Sequence, residues 1–133
     1  MHKYCINKYN KKIKNQLHIF SFTNRGLFLI KKMDLKLDEW ESQLISDENA
    51  FLLDVRTFNE YDAGHIPNAT LIDINQPEVF IEKIKTLDNS KNYYVYCHSG
   101  VRSEKACQIL EHYGIGVTKN LLGGFLGWSE KNM

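Results

Sequence analysis

The stretch YYVYCHSGVRSEKACQIL, residues 93–110, changes its period halfway along. YYVYC is a short apolar run of strand length. From Arg102 to Tyr113 the pattern turns helical, with Ala106, Ile109, Leu110 and Tyr113 on one face and Gly114 as the stop. CHSGVRS lies between them as a tight loop. A strand that feeds directly into a helix is half of a β-α-β unit, so this stretch predicts an α/β domain.

The flanking sequence agrees. AFLLDV (50–55) and ATLIDI (69–74) read as short buried strands, and VTKNLLGG (117–124) as a last strand with a glycine turn. Asp38 is the expected cap of a helix, DEWESQLI, with Trp40, Leu44 and Ile45 on its inner face. Thr57 to Tyr61 reads as one or two helical turns, and Gly64 to Asn68 as a turn cluster. Pro77 opens a helix striped by Val79, Phe80, Ile84 and Leu87, and FLGWSEK (125–131) closes the chain as a short helix. Short strands alternating with helices predict one mainly parallel sheet, in which ligands bind beyond the carboxyl ends of the strands. Cys97 stands at such an end.

A cysteine there is either buried filler or a nucleophile. The residues after it favour the nucleophile. Gly100 lets the backbone turn back so that successive amides converge on one point. The helix start adds free N–H groups and a positive end, and Arg102 adds a charge. A thiol in that cradle should ionise below its ordinary value near 8.5. Ser99 and Ser103 can donate hydroxyl bonds to an anion or cap the helix. His98 reads equally as a loop contact or a solvated side chain. Cys107 lies between Ala106 and Leu110 and reads as core; Cys5 reads as incidental.

Composition bounds the rest. The 133 residues are 43% hydrophobic and 25% charged, which is ordinary for a globular domain. Three cysteines, at 5, 97 and 107, are too few and scattered for a disulfide framework, and none has zinc spacing. A reducing cytoplasm is expected. No apolar run reaches the roughly 18 residues that span a membrane. Residues 1–33 hold eight Lys/Arg and no acid, whereas the other hundred hold nine Lys/Arg and all sixteen acids. The basic leader (1–33) is expected to be a poorly ordered extension, or to lie upstream of a start at Met33, with the domain over 34–133. It lacks a signal-peptide cleavage site and any motif for nucleic acid.

Three blocks resemble the rhodanese family of single-domain sulfurtransferases. They are LLDVRTFNEYDAGHIPNA (52–69), YCHSGVRS (96–103) and LLGGFLGW (121–128). The resemblance implies a single domain with a central sheet of about five strands flanked by helices on both faces. It implies that Cys97 takes a sulfane sulfur from a donor such as thiosulfate as a persulfide. Cyanide, a small thiol or a protein thiol then accepts it, and no cofactor is needed. His98, Ser99, Gly100, Val101, Arg102 and Ser103 would hold the anionic donor. Asp54, Arg56 and Glu60 would support the site, with Glu60 as the expected partner of Arg56. Gly123, Gly124 and Trp128 would pack beside it.

Two departures stand out. Asn68 replaces a glycine common in the family, and Glu60 is acidic where thiosulfate enzymes often carry a base. A phosphatase on the same fold would need five residues between cysteine and arginine; here there are four. A sulfur-relay carrier loaded by a partner protein, and a binding module that borrows the fold, remain alternatives.

Overall fold

The computed structural model describes residues 20–23, 26–29 and 32–133. Much of the basic leader therefore lies outside the described residues. Within it, β1 (Phe20–Thr23) pairs antiparallel with β2 (Gly26–Leu29), a ribbon that the sequence pattern did not predict.

The domain is built on five parallel strands. They are β3 (Lys32–Leu35), β4 (Ala50–Asp54), β5 (Thr70–Leu71), β6 (Asn92–Tyr96) and β7 (Val117–Leu121), in the order β3-β7-β6-β4-β5. Four helices connect them, α1 (Leu37–Ser46), α2 (Phe58–Ala63), α3 (Pro77–Ile84) and α4 (Val101–His112), and a fifth, α5 (Gly124–Asn132), follows β7.

Strand alternation divides the core into two layers. On one face Tyr93, Val95 and Cys97 pack with Leu53 and Val55 against Phe80 and Ile84 of α3 and Ala106, Cys107 and Leu110 of α4. On the other, Tyr94 and Tyr96 pack with Leu52 and Leu121 against Trp40 of α1, Tyr61 of α2, and Phe125 and Trp128 of α5. The Trp40 indole is fully buried, and its N–H donates to the Lys119 carbonyl at 2.9 Å. The expected α/β sheet with helices on both faces is present.

Some details differ from expectation. The edge strand β3 was not anticipated. β5 is two residues long, because it meets β4 only at Leu53–Thr70 and Asp54–Leu71. Helix α1 starts at Leu37, with Lys36 at the N-cap position and no side-chain cap, so Asp38 belongs to its first turn rather than to the cap. Ile45 is 80% exposed. Five residues from Trp40 it lies about 140° round the helix, away from the core. Tyr113 sits past the end of α4 at its cap and is partly exposed.

The parallel strands bring three connections to one edge of the sheet: residues 55–57 after β4, 97–100 after β6 and 122–123 after β7.

Candidate active site

Cys97 follows β6 and is 1% exposed. Gly100 takes φ 110°, ψ −9°, a left-handed conformation that suits glycine. That turn aims the Gly100 N–H at Cys97 Sγ, 3.1 Å away. α4 begins at the next residue, and Ser103 Oγ lies 3.4 Å from the same sulfur. Burial pushes the Cys97 thiol up. The Ser103 hydroxyl and the amides of Ser103, Gly100 and Ser99 pull it down, and the net direction is below its ordinary value. The Gly100 amide and the Ser103 hydroxyl thus both face the sulfur. His98, Ser99 and Val101 are exposed at the loop's mouth, Gly100 and Ser103 are buried, and Arg102 is half-buried.

The turn after β7 clamps this loop from one side. The Phe125 N–H donates to the Cys97 carbonyl at 2.8 Å, and the Leu126 N–H to the His98 carbonyl at 3.1 Å. Both donors are orphan amides of the first turn of α5, so the helix start and the strand end satisfy each other. The contact requires Gly124. Its φ is 58°, and a Cβ there would overlap the carbonyls of His98 and Cys97. Trp128 stacks on Phe125 at 5.7 Å between ring centroids, one layer further out.

The other side is built from β4 and α2. Arg56 Nη2 and Nε reach Asp54 Oδ2 and Oδ1 at 2.8 and 3.0 Å, and Nη2 also donates to the Gly64 carbonyl at 2.8 Å. Asp54 accepts a third group, the Tyr96 hydroxyl, at 2.6 Å. Both charged residues are buried. The Arg56 guanidinium lies over the Phe125 ring at 4.4 Å, which ties this pair to the α5 clamp. The buried Asp54–Arg56 pair therefore joins β4 to Tyr96 of β6 and to Phe125 of α5.

Glu60 departs from the expectation set by the resemblance. It is not the partner of Arg56. Its two carboxylate oxygens take Arg102 Nη1 and Nη2 at 2.8 and 2.9 Å. Thr57 and Glu60 form a reciprocal capping box at the start of α2, which fixes the carboxylate in place. The Arg102 guanidinium, with help from the Thr57 amide and hydroxyl, holds the Glu60 carboxyl down at about 2 despite partial burial. The charge expected to be offered by Arg102 to an anion is thus already paired.

His65 and Pro67 are turn architecture, with the His65 ring stacked 3.7 Å from Tyr61. Asn68 has φ 75°. Asparagine tolerates that region better than most residues, so the departure from glycine keeps the turn. Cys107 is fully buried in the α4 core layer, as expected.

Asn120 was not among the residues that the sequence pattern singled out. It is 1% exposed on β7, and its Oδ1 accepts from Ser103 Oγ at 2.5 Å. Its Nδ2 donates to Asp34 Oδ1 at 3.1 Å and to the Gly100 carbonyl at 3.4 Å. No local signal set it apart, because β7 (VTKNL) also carries Thr118 and Lys119; only its tertiary partners mark it, since a buried amide needs them. Also unforeseen are four exposed apolar side chains on the elements around the mouth. Phe58, Val101, Leu122 and Leu126 are 63%, 73%, 44% and 47% exposed.

No group of three or more His, Cys, Asp or Glu among the described residues is arranged to hold a metal ion. No described helix is long and apolar enough to cross a membrane.

Residues 37–131 match the model of the rhodanese-like domain. A putative sulfur carrier protein of Bacillus subtilis, YrkF, is 31% identical over 98 residues, which cover 74% of this chain and 51% of that protein. A putative sulfurtransferase of the same organism, YtwF, is 36% identical over 88 residues, covering 66% of this chain and 82% of the relative. A tRNA uridine(34) hydroxylase of Buchnera aphidicola is 30% identical over 134 residues, 96% of this chain but 42% of that enzyme. The chain thus spans about half or less of two of these three relatives. The crystal structure of a rhodanese-like domain protein from Staphylococcus aureus is 33% identical, with a TM-score of 0.63 over 71% of this chain and 89% of that one.

Proposed function

The chain belongs to the rhodanese-like domain family, and on that footing we propose that it transfers sulfane sulfur through a persulfide on Cys97. The observation that carries this reading is the loop itself. The Cys97 sulfur is buried, accepts the Gly100 amide at 3.1 Å, and is held below its ordinary ionisation range. The thiolate is the nucleophilic form.

In the first step Cys97 Sγ attacks the outer sulfur of a donor. An S–S bond forms at Cys97, the donor's own S–S bond breaks, and its electron pair leaves with the donor remnant, which is sulfite when thiosulfate is used. In the second step an acceptor nucleophile attacks the outer persulfide sulfur. Cys97 leaves as a thiolate, and the acceptor becomes thiocyanate, a persulfide or a protein persulfide. Neither step needs a cofactor. The amides of His98 to Ser103 are the donors available to the terminal sulfur. A reducing compartment such as the cytoplasm would keep the thiol ready.

A second reading has specific support. Glu60 occupies both Nη atoms of Arg102, so a small dianion meets a paired charge. Phe58, Val101, Leu122 and Leu126 are exposed apolar side chains on the loop's own helix and on the elements beside it. These features favour a donor or acceptor whose sulfur is presented by a protein, as in a sulfur relay, over free thiosulfate.

Intact-protein mass after incubation with thiosulfate, for wild type and Cys97→Ser, tests the chemistry. A gain of one sulfur atom, removed by cyanide and absent from Cys97→Ser, is expected. Loading by a cysteine desulfurase but not by thiosulfate would select the relay. Loading by neither, or equal loading of Cys97→Ser, would overturn the proposal.

A further inference from the structure

Ser103 has one hydroxyl proton and two neighbours that can take it. Asn120 Oδ1 lies 2.5 Å from Ser103 Oγ, and Cys97 Sγ lies 3.4 Å from it. The amide of Asn120 cannot turn over to relieve the competition. Its Nδ2 faces the Asp34 carboxylate at 3.1 Å and the Gly100 carbonyl at 3.4 Å, and neither oxygen has a proton to donate while Asp34 is ionised. Oδ1 is therefore locked towards Ser103.

Resting on the reading of Cys97 as the nucleophile, we propose that Asn120 is a positioning residue that sets the reactivity of Cys97 by competing with its sulfur for the single proton of Ser103. While Cys97 is a thiol, its S–H can donate to Ser103 Oγ, and the Ser103 proton goes to Asn120. When the thiol gives its proton to solvent, the sulfur becomes a pure acceptor. Ser103 then rotates to donate to the thiolate and deserts Asn120 Oδ1. Because Asn120 is buried, an unpaired Oδ1 carries a desolvation penalty. That penalty offsets part of what the thiolate gains from Ser103. Asn120 thus keeps Cys97 more basic than the loop alone would make it. A more basic sulfur is the stronger nucleophile once ionised.

Other charged groups act on the same sulfur. Arg102 on α4 faces it and is itself paired with Glu60 of α2 and influenced by Asp73 beyond β5. The buried Asp54–Arg56 pair lies behind Tyr96, and His98 stands exposed on the loop. Asp34 of β3 acts behind Asn120. All but Asp34 are unchanged in variants at Asn120 and Ser103; Asp34 loses the Asn120 amide equally with and without Ser103, so its effect is separated by comparing the two backgrounds.

The test is the pH dependence of Cys97 alkylation by iodoacetamide, followed by mass on the Cys97 peptide in wild type, Asn120→Ala, Ser103→Ala and the double variant. It needs no sulfur donor, so its failure is separate from failure of the transfer proposal. Asn120→Ala is expected to move the midpoint down by about half to one pH unit, which raises the alkylation rate well below the midpoint about 2- to 4-fold, the gain in thiolate being partly offset by its lower nucleophilicity. In the Ser103→Ala background the same change should have no effect. Asn120→Leu fills the volume and serves if Asn120→Ala fails to fold. No shift, an upward shift, or an equal shift with and without Ser103 would overturn the proposal; the last would mean that Asn120 only shapes the loop.

Discussion

Glu60 grips Arg102 through both of its Nη atoms, at 2.8 and 2.9 Å, directly beside the loop that carries Cys97. Each charge in the pair cancels much of the other's field at the mouth. Glu60→Gln removes that cancellation and leaves Arg102 to face the donor. The rate constant for loading of Cys97 by thiosulfate should rise about 2- to 5-fold, matching a partly exposed ion pair worth up to about 1 kcal/mol. Stopped-flow or quenched mass measurements would show it. A rate that stays constant or falls would mean that Glu60 does not govern the charge seen by the donor.

The same carboxylate links stability to pH. Glu60 is held at about 2 in the folded chain, against an ordinary value of 4.5. A depressed acid contributes stability that is complete above 4.5 and fades as the pH falls through about 2. Both partners are about 30% exposed, so solvent reduces the contribution to about 1 kcal/mol. Urea denaturation at pH 5.5 and pH 2.5 checks this. The wild type should lose more stability between the two than Glu60→Gln, and equal losses would remove Glu60 from the account.

Beneath the site, Asp54 serves three donors at once: the Arg56 guanidinium, the Arg56 amide and the Tyr96 hydroxyl. Neutralising it leaves a buried cation without its counterion. Asp54→Asn should cost about 3–5 kcal/mol in denaturant unfolding, the range for breaking a buried pair from one side. A loss below about 1 kcal/mol would place Arg56 in contact with water, contrary to its burial.

Gly124→Ala addresses the clamp. The left-handed backbone alone costs an L-residue about 1–2 kcal/mol. The methyl group would also push into the carbonyls of Cys97 and His98. The change should therefore slow Cys97 alkylation as well as lower stability. Gly114→Ala is the control, since nothing lies within 4 Å of a Cβ there although φ is +69°. It should lose stability through strain alone and keep the alkylation rate.

The strands and the cysteine loop were legible because their signals are local. AFLLD and YYVY are apolar runs of strand length, and Cys97, Gly100 and Arg102 lie within six residues of one another. What escaped was decided by tertiary partners. The family resemblance led Glu60 to be expected as the partner of Arg56. In the fold Arg56 is drawn into the core by Asp54, while the capping box at Thr57 turns Glu60 towards α4. β3 is only four residues, KMDL, beside a basic segment, and it becomes a strand by pairing with β7. Asn120 read as one more strand residue, because its partners Ser103 and Asp34 are 17 and 86 positions away.

β3 is also an edge strand, and it lies ahead of residues 37–131, which match the family. Its Asp34 fixes the amide that faces Ser103. Peeling β3 from β7 would withdraw Asp34 and leave the Gly100 carbonyl, at 3.4 Å, to orient that amide. If Asn120 tunes Cys97 as proposed, whatever free energy Asp34 contributes to that tuning ties the docking of the sheet's border to the ionisation of the sulfur, and it acts equally in both directions.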